Sequence, residues 1–167
     1  NINDFALTGG VAFGVWVEPR ETRDLDVCGV LPAESVLPLM AQFDGMRVGS
    51  SELPDIVRFR VGDWDVALFV AKGPADLECL SRATPVEIGG VTVRVVTAED
   101  LVLHKLRKLR SDRRRLLQDI ADLRALFQRR TDLDWPYIQA HVTVGDRELL
   151  AAIQGLSDEE LLGRLVR

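Results

Sequence analysis

Cysteine is scarce in this chain: Cys28 and Cys79 are the only two among 167 residues. That count excludes a disulfide framework, and two thiols so far apart make no zinc pattern. Such usage is expected of a cytoplasmic protein with both thiols reduced. Histidine is as rare, and His104 and His141 suggest no ligand cluster. Aromatic residues make up 6%, and Trp16, Trp64 and Trp135 read as core or interface residues rather than base-stacking platforms. No apolar run approaches the roughly 20 residues that a membrane span requires, so no membrane partner is expected. No secretory signal pattern opens the chain. Internal repeats and low-complexity linkers are also lacking, which excludes solenoid and tail-like architectures.

What is present is ordinary globular material, 47% hydrophobic and 28% charged. The length suits one domain, or one domain with a small appendage, with enough apolar residues for a core of its own. The net charge of -5 argues against a general nucleic-acid binder, but it is unevenly distributed. Between His104 and Arg130 ten basic residues face only Asp112, Asp119 and Asp122, which makes that segment +7. An acidic protein with one such segment can still present a local phosphate-binding face. A solvated helix surface is the equally simple alternative.

Along the chain, Phe5–Thr8 reads as a strand that ends in Gly9-Gly10, and Val11–Val17 as a helix after that turn. Leu25–Val30 is a second strand and Ala33–Phe43 a helix. The alternating stretch Ile56–Val61 and the run Trp64–Val70 flank Gly62-Asp63, a hairpin-type turn. Ala75–Ala83 is weakly helical, and Val86–Ile88 and Val91–Val96 form another hairpin about Gly89-Gly90. After Val96 the pattern becomes helical: Leu101–Leu109, Arg113–Phe127, Asp134–Val142, Asp146–Ile153 and Ser157–Val166. Thr97…Asp100 and Ser157…Glu160 have capping-box spacing. The expected fold class is α+β, a small mixed sheet with flanking helices and a helical C-terminal region. The expected organisation is a catalytic core over residues 1–96 with helices over 97–167 packed on it.

Asp24 and Asp26 stand two apart at the head of the second strand. Alternation along a strand puts both carboxylates on one face, a few ångströms apart. Like charges so placed repel unless a cation lies between them. Magnesium suits the task, because it takes hard oxygen ligands from one or two carboxylates and completes its shell with substrate phosphates. Two such ions can clamp the attacking and leaving oxygens of a phosphoryl-type transfer. An Asp-x-Asp alone also occurs in solvated turns. Gly9-Gly10 adds to it, since glycine lets backbone approach a phosphate and the following helix offers its first amides.

Gly9-Gly10, Arg20-x-Thr22 and Asp24-Leu25-Asp26 together resemble the signature of the nucleotidyltransferase superfamily. Thirteen residues separate Gly10 from Asp24, which fits the spacing of that pattern. Glu99-Asp100-Leu101, Lys105-Leu106 and Asp119-Ile120-Ala121-Asp122 extend the likeness toward the AbiEii-type branch, which includes MenT-type toxins of toxin–antitoxin pairs. The resemblance covers residues 8–126. It implies a magnesium-dependent enzyme, with one or two ions, that transfers a nucleoside monophosphate from an NTP. It also implies a third carboxylate on a later strand, often the general base for the acceptor hydroxyl. Asp65 is the candidate, with Asp63 less suited because it follows Gly62 in the turn.

Helical phase supplies a check independent of any family. At about 100° per residue, Lys105 falls inside the apolar arc of Leu101, Val102, Leu106 and Leu109. Asp119 falls between Leu123 and Leu126 on the next helix, and Asp122 lies at the edge of that arc. Inward charges are costly unless they are paired or belong to a site. Lys105 can snorkel, and Asp119 can make a simple salt bridge to Lys105 or an arginine. The functional alternative places both in a cleft facing Asp24 and Asp26, and the resemblance implies catalytic roles for both. The expected site is therefore Asp24, Asp26 and Asp65 for metal; Gly9, Gly10, Arg20 and Lys105 for nucleotide; and Asp119 completing the acidic cleft. The Arg107–Arg115 run would suit RNA, such as tRNA, as acceptor. A toxin would also require an antitoxin partner. The competing readings are a silent nucleotidyltransferase-fold binding module and a small-molecule modifier resembling aminoglycoside nucleotidyltransferases.

Overall fold

The computed structural model describes residues 4–19, 21–49, 53–111, 115–157 and 160–161. The chain divides into two compact units, Asn1–Thr97 and Ala98–Arg167.

The first unit opens with strand β1 (Asp4–Thr8), which runs into helix α1 (Gly9–Trp16) and then strand β2 (Asp24–Val30). Helix α2 (Ala33–Phe43), strand β3 (Met46–Val48) and the hairpin of β4 (Ile56–Val61) and β5 (Trp64–Val70) follow. Helix α3 (Pro74–Arg82) and the hairpin of β6 (Thr84–Ile88) and β7 (Val91–Val95) complete it. The strands form one sheet in the order β3-β4-β5-β2-β1-β7-β6. Pairing is parallel for β2 with β5 and for β1 with β7, and antiparallel elsewhere. The class is α+β, as expected.

Residues paired across strands share a face of the sheet, so the register divides the unit into two surfaces. Leu7, Val27, Leu68 and Val57 form one cross-strand row, and all four are buried. Phe59 lies on that same face and stacks on Phe43 of α2 at a centroid distance of 5.2 Å, so α2 covers it. The opposite face carries the row Thr8, Asp26, Ala67, Arg58 and Met46, and beside it the row Asp24, Asp65 and Arg60. Both hairpin turns are tightened by glycines with positive φ, Gly62 at 58° and Gly90 at 80°. Trp16 at the end of α1 donates from Nε1 to the Val96 carbonyl at 2.8 Å, anchoring that helix to the end of β7.

The second unit is helical among its described residues: α4 (Ala98–Ser111), α5 (Leu116–Arg129), α6 (Trp135–His141) and α7 (Val144–Gly155). Leu101, Leu106, Leu123, Leu126, Ile138 and Ile153 are almost wholly buried. Asp134 caps α6 by accepting from the Tyr137 amide at 3.0 Å, and Thr143 caps α7 through the Asp146 amide. The Ser157–Glu160 capping box forms, with the Ser157 amide donating to Glu160 at 2.9 Å. Most of the helix expected over Ser157–Val166 lies outside the described residues.

Candidate active site

The glycine pair sits where β1 turns into α1. Gly9 has φ of 61°, the left-handed region that only glycine enters at little cost. A Cβ built on Gly9 would stand 1.9 Å from Oδ2 of Asp26 and 2.7 Å from its Cγ. Gly9 therefore meets two demands at once, its own backbone turn and the close approach of a carboxylate. Gly10 is the second residue of α1 and has ordinary helical geometry. Thr8 precedes the helix in extended conformation, and its side chain does not cap the first amides.

Asp26 pairs in register with Thr8, and Asp24 pairs with Asp65. The three carboxylates thus occupy one face of adjacent strands, at the end of β1 where α1 begins. Asp24 and Asp65 are exposed and Asp26 is half-buried. The Asp65 side chain is engaged by Arg60, its partner across the hairpin. Nε lies 2.9 Å and a terminal guanidinium nitrogen 2.8 Å from Oδ1. Among the described residues no group of three His, Cys, Asp or Glu side chains is gathered closely enough to enclose a metal ion. The donor set nonetheless suits magnesium: two hard carboxylates on one face, with the Asp26 carboxylate seated where a Gly9 side chain would stand. That cation needs only one or two protein carboxylates when substrate phosphates supply the rest. Arg20, expected to bind nucleotide, lies outside the described residues, as do Asp112, Arg113 and Arg114 of the basic run.

Within the second unit, Lys105 of α4 is buried and its ammonium lies between two carboxylates of α5. Nζ is 3.0 Å from Oδ1 of Asp119 and 2.5 Å from Oδ2 of Asp122. Gln118 donates to the other Asp122 oxygen at 2.8 Å. Oδ2 of Asp119 is buried without a hydrogen-bond partner. Helical phase turned both Lys105 and Asp119 inward, and the ion pair between them is present. Asp122, placed by that phase only at the arc's edge, is as deeply buried as Asp119. A spacing of three along a helix was the available signal for it.

Asp100, in the first turn of α4, is buried and accepts from the Tyr137 hydroxyl at 2.8 Å. Sequence reasoning also passed over Arg58 and Arg60, although their alternation in Ile56–Val61 places both on one face. Only the register of β4 on β5 sets that face beside the carboxylates. No helix among the described residues is long and apolar enough to cross a membrane.

No curated protein matches the chain. The solution structure of the antibiotic-resistance factor ANT(2″)-Ia is similar, with TM-score 0.55 and 14% identity, over 90% of this chain and 85% of that one. The crystal structure of ANT(2″)-Ia in complex with adenylyl-2″-tobramycin matches with TM-score 0.53 and 17% identity, over 90% and 87%. An antigenic nucleotidyltransferase-like protein from Paracoccidioides brasiliensis gives TM-score 0.47 and 18% identity, over 90% and 84%. At these identities the likeness to the two ANT(2″)-Ia structures is one of fold. A family described as "Uncharacterised nucleotidyltransferase" matches residues 67–151, just over half of the chain. By that match the chain belongs to this nucleotidyltransferase family.

Proposed function

We propose that the chain is a magnesium-dependent nucleotidyltransferase that moves a nucleoside monophosphate from an NTP to RNA. One observation carries the reading: Asp26 is packed against a glycine that can be nothing else, at the first turn of α1, with Asp24 on the same face. Asp24 and Asp26 would hold the metal, which polarises the transferring phosphoryl group and offsets its developing charge. The first amides of α1, opened by Gly9-Gly10, are suited to phosphate oxygens.

Asp65 is the third carboxylate of this reading. Both Arg60 contacts go to Oδ1, which leaves Oδ2 to accept a proton from the acceptor hydroxyl. Lys105 and Asp119 are assigned to the reaction on the resemblance to the AbiEii-type branch. That resemblance also supports a toxin role with an antitoxin partner. RNA as acceptor is supported by the +7 segment between His104 and Arg130.

The test is to incubate the protein and an Asp26→Ala variant with each labelled NTP, Mg²⁺ and total RNA. Label in RNA from the wild type alone is the expected result. Absence of both NTP binding and transfer to any acceptor, small molecules included, would overturn the reading. Label reaching only a small aminoglycoside would move the acceptor to the class seen in the tobramycin complex of ANT(2″)-Ia.

A further inference from the structure

We propose that the β4–β3 part of the sheet face beside the carboxylates docks the acceptor, and that Arg58 pairs with a phosphate of a single-stranded RNA end. This rests on the nucleotidyltransferase reading of Asp24 and Asp26. The register places Arg58 in the row Thr8, Asp26, Ala67, Arg58 and Met46, two strands away from Asp26. Two strand spacings are about 10 Å, a gap that an extended arginine side chain largely closes.

The charges on this face differ in what they leave available. Asp24 and Asp26 are committed to metal in this reading, and the charge of Arg60 is paired with Asp65 through Oδ1. Arg58 is exposed and has no ion-pair partner among the described residues. The acceptor side of the face therefore ends in an uncompensated guanidinium, which attracts a phosphate bidentately and repels an ammonium. A polycationic acceptor would have to lie against Arg58, whereas a phosphodiester neutralises it.

The next strand outward adds the second requirement. Met46, register partner of Arg58, is 62% exposed, and Val48, partner of Ile56, is 42% exposed. Apolar side chains next to a cation, open on a flat sheet, suit a ligand that alternates charged and flat apolar parts. A nucleic-acid strand has that character: its phosphate lies on Arg58 and its base faces Met46 and Val48. Its terminal hydroxyl then points back along the row toward Asp26, with Asp65 in the row beside it.

The experiment measures binding of a labelled, unstructured oligoribonucleotide to the full chain by fluorescence anisotropy over a series of KCl concentrations. Arg58→Gln is expected to weaken binding at low salt. It should also reduce the slope of log K against log[salt] by about 0.7, the value for one phosphate on a single strand. Arg58→Lys should restore most of the slope, because it keeps the charge. Arg147→Gln, at an exposed position on α7, should leave affinity and slope unchanged. In transfer assays Arg58→Gln should raise KM for RNA and leave KM for NTP in place. An unchanged slope and KM in Arg58→Gln, or an equal effect from Arg147→Gln, overturns the inference. Transfer to RNA that does not depend on Arg58 sinks this inference alone and leaves the enzyme reading standing. RNA bound through Arg58 with no transfer to any acceptor sinks the enzyme reading, and with it the acceptor role of this face.

Discussion

At the scale of single residues, the two glycines that look alike in sequence have different work. Gly9 needs its identity twice, for a φ of 61° and for the Asp26 oxygen standing where a Cβ would be. Left-handed backbone costs a residue with a side chain about 1–2 kcal/mol, and here the methyl would also displace the carboxylate. Gly9→Ala should therefore lower the thermal midpoint by several degrees and bring nucleotide transfer down to the level of Asp26→Ala. Gly10 lies within α1 and has no positive φ, so Gly10→Ser should fold and transfer much as the wild type does. A Gly10→Ser variant as damaged as Gly9→Ala, by melting and by labelled-NTP assay, would contradict this division. The sequence showed a Gly-Gly pair but not which member carries the constraint, because φ is set by the angle at which β1 enters α1.

Between elements, the buried charges of α4 and α5 are the clearest case of sequence and structure meeting. Helical phase alone turned Lys105 and Asp119 inward, since an arc of leucines leaves them no other direction. The count of partners was not legible, because it depends on how far α4 is rotated against α5. One ammonium serves two carboxylates, Asp119 and Asp122, all nearly removed from water. Removing one partner of a buried pair typically costs about 3–5 kcal/mol, whereas replacing the whole set by apolar groups can be neutral. Lys105→Met should accordingly cost about 3–5 kcal/mol in urea unfolding. Adding Asp119→Leu and Asp122→Leu to it should recover much of that loss. The aspartates should also differ. Asp122 has both oxygens bonded, to Lys105 and Gln118, while Asp119 leaves Oδ2 without a partner. Asp119→Asn should therefore be milder than Asp122→Asn, and the reverse order would mean that Asp119 is the principal counter-charge.

The strands and helices were legible to within a few residues where the pattern ran long. Ala33–Phe43, Ile56–Val61 and Trp64–Val70 occur with the expected bounds. The exception is β3, Met46–Val48, which has only three residues. Three residues carry too little alternation to register as a strand, and this one exists because the edge of β4 accepts it. The same dependence on pairing explains why Arg58 and Arg60 went unremarked. Their shared face follows from alternation and their place beside Asp65 from the two-residue turn at Gly62-Asp63, but the pairing of β5 on β2, which sets that face beside Asp24 and Asp26, is encoded by no local pattern.

At the scale of the whole chain, two compact units with separate buried sets raise the question of whether they melt separately. Each unit has tryptophan reporters. Trp16 is tied by its indole to Val96 within residues 1–97, and Trp135 lies against Phe127 at a centroid distance of 5.3 Å within residues 98–167. Local stability follows local packing, so a defect placed in one core need not be felt equally in the other. Lys105, Asp119 and Asp122 all lie in the second unit. In variants that keep only Trp135, or only Trp16, Lys105→Met should shift the Trp135 transition to lower urea by more than it shifts the Trp16 transition. Equal shifts in both would show one cooperative unit, with the two cores stabilising each other by as much as the lost ion pairs. The direction of the difference also bears on the enzyme. If the second core loosens while the first holds, Mg²⁺ should still raise the Trp16 midpoint in Lys105→Met, as expected of a site built from Asp24 and Asp26.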